Sequence, residues 1–89
     1  MRIWKERLKI TDEQKILVPK DAKILTVQEQ RERLQIWFLC DETKPKELRR
    51  IAIYGTRNPM PNEPGEYIGT VQMNQGTSVW HVFNVAHKN

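Results

Sequence analysis

The run Leu34-Gln35-Ile36-Trp37-Phe38-Leu39-Cys40-Asp41 decides the fold of this 89-residue chain. Leu34, Ile36, Phe38 and Cys40 recur at every second position, the period of a β-strand, and fall on one face. Trp37 and Leu39 fall on the other. A strand apolar on both sides is either buried on both or has one side covered by a partner.

Working outward, the same period recurs. From Arg2 to Ile10, Trp4, Leu8 and Ile10 share one side and Lys5, Arg7 and Lys9 the other. The four-residue spacing of Trp4 and Leu8 also suits a helix, but the strict alternation of the cations favours a strand. Thr11-Asp12-Glu13-Gln14 matches a capping box, yet only Lys15 to Val18 follows before Pro19, so a short strand ending at that proline is expected. Lys23 to Gln30 is a further strand, and Arg31-Glu32-Arg33 a hairpin tip without the usual glycine or asparagine. Past a charged loop over Glu42–Leu48, strands are expected at Arg49–Tyr54, with Ile51 and Ile53 inward, at Glu66–Met73 and at Ser78–Val85. About seven short strands spaced by roughly 8 to 14 residues predict an all-β fold, a small antiparallel β-barrel or β-sandwich. The expected domain spans 1–86, with a C-terminal tail at 87–89.

The chain carries 15 Lys and Arg against 11 Asp and Glu, a net charge of +4, with no block of like charges. Anionic partners are favoured only weakly by that balance. No apolar run approaches the roughly 20 residues that span a bilayer. The N-terminal residues lack the apolar core of a signal peptide, and Cys40 is a lone cysteine, so a reducing cytoplasm and no membrane are expected.

Catalytic signatures are absent. Cys40, His81 and His87 show no metal-ligand spacing, no nucleophile–base arrangement stands out, and neither metal nor cofactor is expected. Gly55-Thr56-Arg57-Asn58 joins a glycine backbone, a hydroxyl, a guanidinium and an amide, a set able to hold a phosphate, although glycine after a strand commonly serves the turn alone. Pro59, Pro61 and Pro64 stiffen the loop between Gly55 and Glu66, either as a preformed contact surface with Met60 at its tip or as protection of a sheet edge. Three tryptophans, Trp4, Trp37 and Trp80, serve equally for a core or for base stacking. Arg49 and Arg50 read as a solvated strand edge, and His81 as packing or a ligand contact.

These residues carry a resemblance. Ile3-Trp4-Lys5, Ile10-Thr11-Asp12-Glu13-Gln14, Ala22-Lys23-Ile24-Leu25-Thr26-Val27-Gln28, Ile53-Tyr54-Gly55-Thr56, Pro59, Pro61, Pro64-Gly65, Tyr67-Ile68-Gly69-Thr70 and His81-Val82-Phe83 resemble a family of small uncharacterised proteins of tailed phages and prophages. Where that family often has a glycine-containing hairpin, this chain has Arg31-Glu32-Arg33. The resemblance implies a phage origin, a host cytoplasm and no enzyme. By analogy with small phage accessory proteins, the expected function is binding without catalysis. In one form, a homo-oligomer sequesters a nucleotide immune signal, with Tyr54, Gly55, Thr56 and Arg57 on phosphate and base and Trp37 or Trp80 stacking. The alternative is a protein-binding module that docks a host or phage protein through Pro59, Met60 and Pro61 or a sheet edge. Weak nucleic-acid binding ranks third.

Overall fold

The computed structural model describes residues 1–85. The tail expected at 87–89 lies outside them. All seven expected strands form: β1 (Arg2–Arg7), β2 (Glu13–Pro19), β3 (Lys23–Gln30), β4 (Arg33–Cys40), β5 (Lys46–Gly55), β6 (Glu66–Met73) and β7 (Ser78–Asn84). They pair antiparallel into a three-stranded sheet, β1-β4-β3, and a four-stranded sheet, β2-β5-β7-β6. Among the described residues no pairing joins β1 to β2 or β3 to β6, so of the two expected architectures the sandwich is the one adopted.

The alternation of β4 sets the core. Leu34, Ile36, Phe38 and Cys40 are at most 1% exposed and face the other sheet, where they meet Ile16, Val18, Ile51, Ile53, Val71 and Val82. Trp4 packs edge-on against Phe38, with ring centroids 6.4 Å apart. Neither seam between the sheets is closed by strand pairing. At one, Gly69 of β6 lets β3 approach: a Cβ there would lie 3.1 Å from Val27 Cγ1. At the other, the Gln14 amide ties down the chain just past the end of β1 and leaves the β1 edge itself open. Its Oε1 accepts from Lys9 N at 3.0 Å and its Nε2 donates to Lys9 O at 2.7 Å.

Three boundaries differ from expectation by more than a residue. β2 starts at Glu13 rather than Lys15, because Glu13 and Gln14 pair with Ala52 and Ile51. β1 stops at Arg7, after which Leu8 still buries its side chain while Ile10 is exposed. β5 starts at Lys46, inside the expected charged loop, because Leu48 pairs with Leu17 and Lys46 with Pro19. This also corrects the reading of Arg49 and Arg50, which lie on an interior strand. Arg49 Nη2 donates to Ala22 O at 3.1 Å, and Arg50 Nε donates to Glu13 Oε1 at 2.7 Å.

The β3–β4 hairpin turns on Arg31 and Glu32, held at φ 53° and 64°. Successive positive φ values are the signature of a type I′ turn, which glycine and asparagine adopt most readily. Two bulky residues hold it here at a steric cost. The Glu32 amide is partly compensated by the Glu29 carboxylate, 2.8 Å away. Replacing Arg31-Glu32 by Asn-Gly is therefore expected to raise the urea-unfolding free energy by about 1 kcal/mol. Phe38→Ala is expected to lower it by about 3–5 kcal/mol, much of the stability of so small a domain.

Candidate functional site

The outer face of the three-stranded sheet is built from three strands, and no further strand among the described residues lies over it. On β4 the residues opposite the core are Arg33, Gln35, Trp37 and Leu39. Beside them stand Ile3, Lys5 and Arg7 of β1, and Lys23, Thr26, Gln28 and Gln30 of β3. A bulge between Ile24 and Thr26 pushes the extra residue, Leu25, toward solvent, where it is 43% exposed. Four of these ladder positions are Lys or Arg and none is Asp or Glu.

Two concavities lie on this face. A shallow apolar groove of about 290 Å³ is lined by Ile3, Leu25, Thr26, Gln28 and the half-buried Trp37. A polar cleft of about 360 Å³ is lined by Lys5, Gln30, Arg31, Arg33 and Gln35. Lys5 stands between them: it is directly opposite Trp37 in the ladder, and its Nζ donates to Gln30 Oε1 at 2.7 Å. Three cations and two amides without a carboxylate make an anion-binding lining, and a flat indole beside it offers a stacking surface. The acids of the nearby hairpin turn elsewhere: Glu29 and Glu32 line a separate cleft with Met73, Asn74 and Gln75.

The other sheet's outer face presents a connected polar strip. The His81 ring bridges two hydroxyls, with Nε2 2.8 Å from Thr56 Oγ1 and Nδ1 2.9 Å from Thr70 Oγ1, and Thr70 in turn meets the Tyr67 hydroxyl. Tyr54, Phe83 and Tyr67 pack edge-to-face across β5, β7 and β6, with centroids 5.9 and 5.5 Å apart. The proline loop folds toward this face, where Pro61, Glu63, Pro64 and Gly65 line a cleft of about 310 Å³ with Tyr54, Arg50, Glu13 and Val85. Gly65 secures the loop's end: its φ is 104°, and a Cβ there would lie 2.4 Å from Asn84 O. In this cleft Arg50 is already paired with Glu13, and Glu63 adds a second carboxylate, a lining that disfavours phosphate.

The structure does not bring the expected ligand residues together. Trp37 lies on the outer face of one sheet. Tyr54 and Thr56 lie on the opposite side of the sandwich, where the Thr56 hydroxyl is already bonded to His81. Trp80 packs against the core, and Gly55 makes room for it: a Cβ there would lie 3.4 Å from the indole and 2.9 Å from Asn58 Nδ2. Arg57 is exposed in the following turn at φ 73°. Pro59, Met60 and Pro61 are exposed together, as a contact tip requires, and Met60 is 41% exposed.

Sequence reading passed over the cationic cleft. The parity of β4 places Arg33 on the same face as Trp37, with Gln35 between them, and this much was available. Lys5 joins them only through the β1–β4 pairing, and Arg31 only through the turn geometry. The lone Cys40 is 1% exposed, and burial, reinforced by the Glu42 and Asp41 carboxylates, pushes its thiol pKa up, away from thiolate chemistry. Among the described residues no three His, Cys, Asp or Glu side chains gather in a metal-binding group. His81→Ala removes both hydroxyl bonds of a half-exposed ring. It is expected to cost about 1 kcal/mol in urea unfolding.

No curated protein and no solved structure matches the chain. One family does, over residues 1–89, and it is described as a domain of unknown function, DUF7352. The expectation of a small uncharacterised family is met, and the chain belongs to the DUF7352 family.

Proposed function

We propose that this protein is a non-catalytic binding protein for a nucleotide-type ligand, held on the outer face of the three-stranded sheet. The observation that carries this reading is the apolar Trp37 groove beside an acid-free cleft of Lys5, Arg31 and Arg33. A nucleotide has the same two halves, a flat apolar base and a multiply charged phosphate. Trp37 stacks the base, and Arg31 and Arg33 take phosphate oxygens in their planar forks. Gln30 and Gln35 supply further polar contacts. In this reading the ligand is retained and released unchanged.

The biological setting comes from the resemblance to tailed-phage and prophage proteins. Within it the protein is an accessory factor of the host cytoplasm that sequesters a nucleotide signal of host immunity. Such a sponge works by affinity and slow release alone. Its contacts shift from the Gly55–Arg57 turn to the Trp37 face, because the turn's hydroxyl and glycine are already committed to the fold.

A protein-binding module is the second reading. It is favoured by the exposed Pro59-Met60-Pro61 tip, a stiff apolar projection that loses little entropy on docking.

Native mass spectrometry of the protein from phage-infected cells, followed by titration with adenine dinucleotides and cyclic dinucleotides, tests the first reading. A co-purifying nucleotide is expected. Trp37→Ala or Arg33→Gln should each weaken binding about tenfold or more while the far-UV spectrum is unchanged. Failure of every nucleotide to bind, or affinities untouched by both substitutions, overturns it. Binding only to oligonucleotides, with a steep salt dependence, would instead identify a single-stranded nucleic-acid binder.

A further inference from the structure

The four edge strands of the sandwich are not alike. β3 carries the bulge at Leu25 and has β6 packed beside it, β6 carries a bulge between Tyr67 and Gly69, and β2 ends in Pro19. Bulges, prolines, covering elements and charged side chains are the usual means by which sheet edges avoid pairing with other chains, and of these β1 has only the charges of Arg2, Lys5, Glu6 and Arg7. β1 has neither bulge nor proline, and its six residues run in unbroken register along β4. Its other side carries no strand.

From this edge we infer that the protein pairs with a second copy of itself, β1 against β1, across a two-fold axis perpendicular to the sheet. Such an axis keeps the inner faces of both copies on the same side. Residues directly opposite one another must then share a face, which allows only registers whose paired residue numbers have an even sum. The register centred on Trp4 sets Arg2 against Glu6 of the second copy, and Glu6 against its Arg2. It pairs Ile3 with Lys5, an apolar side chain on an aliphatic stem, and Trp4 with Trp4. Shifting it by one step places Lys5 opposite Lys5. The opposite shift leaves only Arg2 to Trp4 overlapping. The charges on β1 are therefore self-complementary in one register.

Side-chain placement agrees. Arg2, Trp4 and Glu6 lie on the core side of the ladder, opposite Cys40, Phe38 and Ile36. Arg2, whose Nε is already paired with Glu42 and leaves its Nη groups to face the second copy, and Glu6 are nevertheless exposed, and Trp4 is only partly covered, by Phe38 and by Lys46 Nζ 5.8 Å from its ring centroid. The second copy's Trp4 covers the rest. The joined sheet has six strands, and both Trp37 grooves open on one side of it. The inference stands on the edge of β1 alone and is independent of what the grooves hold.

Sedimentation equilibrium of the untagged chain, taken to about 100 µM because so short an edge buries little area, tests the pairing. A mass approaching twice 10.6 kDa is expected. Glu6→Arg and Arg2→Glu should each weaken association about tenfold, since each turns two attractive cross-strand pairs repulsive. The double variant Arg2→Glu/Glu6→Arg should restore it. Hydrogen exchange gives a reading without substitution. Every amide of β1 is protected in the dimer, whereas a free edge protects only alternate ones. A monomer at all concentrations, a dimer blind to the charge changes, a double variant that stays monomeric, or alternate protection would each overturn the inference.

Discussion

The structure depends on the burial of one side of β4. Leu34, Ile36, Phe38 and Cys40 form an unbroken apolar row along the middle strand of a three-stranded sheet, and only a second sheet can remove such a row from water. That requirement brings β2, β5, β7 and β6 across the core. The strand's strict period of two has a second consequence. With every even position committed inward, the odd positions Arg33, Gln35, Trp37 and Leu39 must stand outward, in the middle of a face that no other strand among the described residues covers, although neighbouring side chains leave Gln35 only 8% exposed. Core and candidate binding surface are two sides of one alternating strand.

How much of this was readable without coordinates follows from the range of each interaction. Strand identity is local, and all seven strands lie where the side-chain period places them. The start of β5 was missed because Lys46, Glu47 and Leu48 look like loop until Leu17 and Pro19 pair with them. The site was less accessible still. Tyr54, Gly55, Thr56 and Arg57 formed an attractive set because they are consecutive. Consecutive residues in a strand and its turn point in different directions, however, and these four divide among the core, the His81 strip and solvent. The groups that do converge, Lys5, Arg31, Arg33 and Trp37, come from β1, a turn and β4. Only strand pairing makes them neighbours.

Charge is sorted by face in a way that composition hides. A net charge of +4 with interspersed acids reads as a mild excess of base. In the folded chain the acids of β1 and β3, Glu6 and Glu29, take the side away from the Trp37 groove, while Lys5, Arg7, Lys23 and Arg33 share its side. The local field at that face is correspondingly stronger than the overall balance suggests, since no carboxylate offsets it. The opposite outer face is arranged differently. There Arg50 is matched by Glu13, and the polar strip around His81 is closed upon itself by hydroxyls.

The ladders also set an order of assembly. β3–β4 and β6–β7 are hairpins closed by two and four residues, which form within microseconds of their chain being available. β1 is different: Arg2 pairs with Cys40 and Arg7 with Gln35, across the whole of β2 and β3. A ribosome releases β1 before β4, the strand it pairs with, has been made. For the seconds that synthesis of the intervening chain takes, Trp4 and Ile3 belong to an unpaired strand with two open edges. The charges of Arg2, Lys5, Glu6 and Arg7 favour the solubility of that waiting segment, so the strand with the plainest open edge in the finished fold is also the one richest in charge.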